Sequence, residues 1–121
     1  LVKNIIMKIR KFNQQFPIVK KVYDEGIKDF DRKVELRHAF RELKELLEWV
    51  EEERKKILQE YANENGQVPE AFQYEVSQKI EALFNTEDEV EKPLKFNKEE
   101  VKEADLKGSE IELIYDDFVK E

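Results

Sequence analysis

The chain has no cysteine, one histidine, two serines, three glycines and three prolines among 121 residues. Each shortage removes a class of chemistry. Without Cys there are neither disulfides nor thiolate metal sites, which fits a reducing compartment. His38 alone cannot build a His-rich metal site, and its place on the polar side of a helix reads as a surface histidine. Ser77 and Ser109 have no visible base and orienting acid, so a hydrolytic triad has nothing to assemble from. Gly26, Gly66 and Gly108 stand apart, which excludes the glycine-rich loops that cradle phosphates. No apolar run reaches the length of a membrane-spanning helix. The N-terminal "LVKNIIMKIRKF" is too short and too charged for the core of a signal peptide. Leu1 to Ile6 read as a non-standard start or an expression remnant ahead of "MKIRKF".

What is present is charge. Charged residues make up 42% of the chain against 40% apolar, with a net charge of −7. That balance argues against a general nucleic-acid binder, which needs a basic stripe to displace counterions. The apolar residues recur in periodic blocks, so the chain reads as one folded, mainly α domain over 1–121 rather than a disordered one.

Residues 1–12 read as a short strand or a disordered lead, with Ile5, Met7 and Ile9 loosely alternating. Pro17 reads as the first position of a helix over 17–30, with Ile18, Val19, Val22, Tyr23, Ile27 and Phe30 on one arc. Gly26 weakens that helix or ends it. Asp31 is the expected cap of a long helix over 31–61, about 46 Å at 1.5 Å per residue. Its stripe runs Leu36, Phe40, Leu43, Leu47, Val50, Arg54, Ile57 and Tyr61, with Ala39 and Leu46 widening it. The 3.5-residue mean repeat favours nearly antiparallel, coiled-coil-like packing. Glu51/Lys55 and Glu52/Lys56 stand at the helpful i,i+4 spacing. "ANENG" stops the helix, with Gly66 free to turn left-handed. Pro69 opens a helix over 69–84, about 24 Å long, whose Phe72, Val76, Ile80 and Leu83 share a face. The expected assembly is a long spine with two shorter antiparallel helices, one along its early half and one along its later half.

From 87 to 121 the pattern becomes an extended segment and a short helix. Val90, Leu94 and Phe96 alternate with charges, and Pro93 admits an edge strand at most. Asn97 and Glu100 form a variant capping box for a helix through Leu106, Gly108 breaks it, and "IELIYDDFV" follows.

The succession "RKVELRHAFRELKELLEWVEEERKKILQEYANENGQVPEAFQYEVSQKIEALFNTEDEVEKPLKF" resembles a group of small, uncharacterised proteins of tailed phages and prophages. They share a layout of a Lys/Glu-rich long helix, a turn with glycine, a shorter helix, an extended segment and a short tail. Here "ALFNTEDEVEKPLKF" and "DDFV" occupy the later places, and the likeness covers about residues 30–121. It implies a viral origin, synthesis in a bacterial host's cytoplasm and incorporation in a virion as an option. It brings no catalytic residues.

Two residues of the long helix pose a question. On a helical wheel with Phe40 at zero, the stripe spans roughly 240° to 360° at 100° per residue. Trp49 falls near 180°, beside Glu42, Glu45 and Glu53, whereas Arg54 falls inside the stripe. The simpler expectation for Trp49 is cover by the chain's own tail, whose Leu94, Phe96, Val101, Ile111, Leu113 and Phe118 must bury somewhere. The alternative is an anchor for another chain. For Arg54 the expectations are a packed aliphatic stem with its head in water, a carboxylate from Glu75 or Glu81, or a partner-facing position.

No cofactor or metal is expected, and "NTEDEVE" lacks the spacing of a calcium loop. The chain therefore reads as a non-enzymatic protein that binds protein, in virion assembly or as a minor virion component, with self-association open. The candidate binding residues are Trp49, Arg54, Glu51, Glu52, Glu53, Glu87, Asp88 and Glu89. The alternative is an inhibitor of a host defence nuclease complex, whose acidic groups, Asp116 and Asp117 among them, imitate nucleic-acid phosphate. The plainer account of those acids is a solvated face that keeps the domain soluble. An antitoxin-like regulatory binder is a third option.

Overall fold

The computed structural model describes residues 5–91 and 93–120. It is mainly α, with helix over 71% of the structure and one short antiparallel sheet. Strand β1 (Ile5–Lys8) leads into helix α1 (Ile9–Lys21), which runs on as a wide π turn, Val22–Gly26. The long helix α2 covers Phe30–Tyr61, and a 3-10 turn at Glu70–Phe72 precedes α3 (Gln73–Phe84). Strand β2 (Glu87–Val90), α4 (Lys98–Glu103) and α5 (Gly108–Phe118) complete the chain. The expected spine is present. α3 folds back along its later half, with Lys79 Nζ 3.2 Å from Glu60 Oε1.

The first helix differs from its expectation. It begins at Ile9, and Pro17 lies inside it rather than at its start. Ile9, Phe12, Phe16 and Val19 are buried at helical spacing on both sides of the proline. Burying such side chains contributes about 1.5–3 kcal/mol each, enough to carry the helix through the donor that proline lacks. The strand is correspondingly short. It pairs antiparallel with β2, Ile5 opposite Val90 and Lys8 opposite Glu87. Carboxylates accept from outward amides of β2 and of the residue after it, Asp88 from Glu89 N at 2.8 Å and Glu42 from Glu91 N at 2.9 Å. These contacts protect that edge from further pairing.

The cap of α2 is Asp29, two residues before the expected Asp31, and its side chain accepts from the Asp31 amide at 3.2 Å. At the far end Gly66 takes φ 76°, as its turn requires. The capping box of Asn97 and Glu100 forms, but its helix stops at Glu103, short of Leu106, where Asp105 turns left-handed at φ 53°. Gly108 starts α5 rather than ending a segment.

The tail packs on the N-terminal elements. Leu94, Phe96, Val101, Ile114 and Phe118 are buried in one core with Ile9, Phe12, Phe16, Val19 and Val22. Phe96 is pinned between main-chain groups of the tail's end, its N–H donating to Phe118 O and its carbonyl accepting from Lys120 N, both at 2.8 Å. Gln15, buried in α1, donates to Leu113 O at 2.9 Å and to Asp117 Oδ2 at 2.7 Å. Burial alone would push the Asp117 carboxyl up. The Gln15 and Lys11 hydrogen bonds, with the charges of Lys11 and Lys95, outweigh it and hold Asp117 below the usual range.

Arg32 and Glu100 tie α2 to α4. Arg32 Nε lies 3.0 Å from Glu100 Oε2, and Nη2 reaches Oε1 at 3.1 Å and Lys95 O at 2.9 Å. The hydrogen bond to Glu100 raises the guanidinium pKa above its ordinary value, with burial opposing. The same carboxylate accepts the Asn97 amide at 2.9 Å, so one side chain caps α4 and anchors it.

Candidate functional site

The buried row of α2 is Leu36, Ala39, Leu43, Leu46 and Val50. Phe40 and Leu47, expected at its centre, are only partly buried on its flank. Both rows repeat at steps of three and four and share Leu36, Leu43 and Val50. Ala39 is buried where the bulkier Phe40 beside it is only partly so. The shift turns Arg54 out to solvent. Among the described residues no acid is paired with it, and Glu81 is taken by Arg10.

Trp49 is 45% exposed. The full cover expected from the tail is therefore not there, and the tail's buried apolar residues pack in the core with α1 and the π turn. Trp49 stands about 140° around the helix from Arg54, five residues at 100° each, so the two face different surroundings. Glu51, Glu52 and Arg54 do come together, with Leu47, Glu48 and Lys55, around one depression of about 340 Å³. Glu53 is half-buried and pairs with Lys56 at 3.3 Å. That i,i+3 contact stands where the i,i+4 pairs Glu51/Lys55 and Glu52/Lys56 were expected. Glu87, Asp88 and Glu89 are exposed on β2. Glu87 borders a separate depression of about 480 Å³ with Lys8, Arg10, Lys11 and Phe84.

A larger feature escapes the sequence reading. Between α1 and the first half of α2 runs an open groove of about 660 Å³ with Phe16, Pro17, Phe40 and Leu47 in its apolar lining. Phe16 and Phe40 meet edge-to-face at 5.7 Å, and Tyr23 stacks on Phe40 at 4.1 Å, so its wall is built of packed rings. Asn13 also lines it. Its carbonyl would be the helical partner of the N–H that Pro17 lacks. Lys20 and Asp24 on the rim pair at 2.7 Å, which raises the Lys20 pKa, while Lys44, Glu48 and Glu51 add further charge. Reading Pro17 as a helix start hid this groove. The usable signal was Phe12, Phe16 and Val19 spaced as one face across the proline.

The tip of the α2–α3 hairpin carries exposed aromatics. Tyr61 and Phe72 have centroids 5.7 Å apart, Lys79 lies over the Tyr61 ring at 5.0 Å, and Tyr74 is 74% exposed. At the other end of α2, Phe30 is 76% exposed.

These surfaces can bury another protein's apolar side chains and pair with its charges. Among the described residues no group of three or more His, Asp or Glu is arranged to hold a metal ion. Among them, too, no helix is long and apolar enough to cross a membrane. No family model matches the chain, nor does any curated protein or solved structure.

Proposed function

We propose that this chain is a non-enzymatic, phage-encoded protein that works by binding protein, in virion assembly or as a minor virion component, and is made in the bacterial host's cytoplasm. The observation that carries the reading is α2 itself. One continuous helix of 32 residues presents an apolar groove, a half-exposed Trp49 and a charged depression outside the core. Trp on an exposed helix face, rimmed by polar groups, has the character of a binding hot spot. The phage origin rests on the resemblance of residues 30–121 to phage proteins.

A second reading is favoured by one observation. Glu87, Asp88 and Glu89 stand exposed in a row on β2, an acidic strand suited to a basic surface such as that of a host nuclease complex. Affinity capture from infected cells, with wild-type protein, Trp49→Ala and Glu87→Lys/Glu89→Lys in parallel, tests both. Capsid or tail proteins lost with Trp49→Ala support the first reading. Host immune proteins lost with Glu87→Lys/Glu89→Lys support the second. Recovery of neither class would remove both.

A further inference from the structure

Beyond Val50 the spine is covered by α3 on one side only. About a quarter-turn round from the residues that face α3, and partly shared with the groove beside α1, a second three-four row emerges: Lys44, Leu47, Glu51, Arg54 and Leu58. Leu47 and Leu58 are partly buried, and Lys44, Glu51 and Arg54 are exposed. Glu48 and Lys55 flank the row. Among the described residues Glu48, Glu51, Arg54 and Lys55 have no ion-pair partner, although each stands near opposite charges along the helix.

The row is complementary to itself when reversed. Laid antiparallel on a copy about an axis between residues 52 and 53, Leu47 faces Leu58 of the second copy and Glu51 faces its Arg54. By the two-fold, Arg54 faces Glu51 and Leu58 faces Leu47 of the second copy. Glu48 comes beside Lys55 of the second copy on the flank. Positions alternate in the way antiparallel coiled coils require, each residue of one kind meeting the other kind. A parallel arrangement would instead set Glu51 against Glu51 and Arg54 against Arg54. The charge order therefore selects both the occupant and its direction.

We propose that a second copy of this chain docks on this face of α2, forming an isologous antiparallel helix pair between the 44–58 segments. Such a two-fold contact closes on itself, so association stops at the dimer. Salt bridges at the contact fix the register while the leucines supply the apolar burial. The proposal stands apart from the function proposed above, since self-association needs no phage or host partner.

Sedimentation equilibrium of the purified chain tests it, with three variants at exposed positions and circular dichroism to confirm their helix content. The expected result is a species of twice the chain's 14.6 kDa mass. Glu51→Arg or Arg54→Glu alone should weaken association by about tenfold or more, because each sets like charges opposite one another. The exchange variant Glu51→Arg/Arg54→Glu should restore it, because the swapped charges again meet their opposites across the two-fold. A monomer at about 100 µM, well above the micromolar dissociation constants of modest complexes, would overturn the proposal. So would a dimer indifferent to the single reversals, or an exchange variant no better than either.

Discussion

At Gly26 there is no room for a methyl group: a Cβ would stand 2.2 Å from the Glu100 carbonyl oxygen. The backbone there is not left-handed, so the constraint is the close approach of α4 to the π turn. Gly26→Ala should destabilise by about 1–3 kcal/mol, the ordinary cost of overpacking, read from urea midpoints; a loss under about 0.5 kcal/mol would mean α4 sits further off. Glu100 is the neighbouring test. Glu100→Ala removes the helix cap and leaves the Arg32 guanidinium, 14% exposed, without its main partner. The expected loss is about 3 kcal/mol, as for one-sided removal of a buried pair, and Arg32→Leu/Glu100→Leu should lose less than the single change. Asp117 is a pH sensor of stability. Its folded pKa lies below its unfolded value, so its contribution is complete above the unfolded pKa, about 3.9, and is lost as pH falls through the folded value. Wild-type stability should drop across that acid range, and Asp117→Asn should flatten the drop. An unchanged profile in the variant would show that Asp117 gains nothing from Gln15 and Lys11.

Among the elements, α2 and the turn at Gly66 were legible because an unbroken amphipathic repeat from Leu36 to Tyr61 outvotes local ambiguity, and because glycine after "ANEN" has one obvious use. The phase of its stripe was not. Phe40 and Leu47 outweigh Ala39 and Leu46 in hydrophobicity, yet the smaller pair faces the core, since packing distance rather than transfer energy chooses the row. Arg54 followed that error inward on paper and stands outside in the structure. The candidate site shared this fate. Exposure of Glu51, Glu52 and the β2 acids was readable from charge alone, but Trp49's freedom depended on where the tail lands, a long-range pairing that no local pattern encodes. α1 misled for the opposite reason, a strong local rule overridden by burial. If Pro17 is tolerated rather than required, Pro17→Ala should restore a donor to Asn13 and stabilise by about 1 kcal/mol, a fraction of the roughly 3 kcal/mol that proline costs a helix interior. Thermal melting checks it, and a lower Tm would mean the proline is needed for the groove wall.

The molecule as a whole divides the work along its spine. The half up to Val50 is held in the core by α1 and the tail, while the half beyond it lies against α3 in a hairpin built on Val76, Ile57 and Tyr61. Elements with few buried partners open at lower free energy than the core. The central claim is that α2 is one continuous helix whose buried residues end at Val50, with 51–61 less firmly held and forming part of the face proposed to dock a second copy. Amide hydrogen exchange followed residue by residue along α2, at low and at high protein concentration, tests it most directly. The account predicts slow exchange over 36–50 at both concentrations, and faster exchange over 51–61 that slows as concentration rises. Equal protection of both halves at every concentration would contradict it.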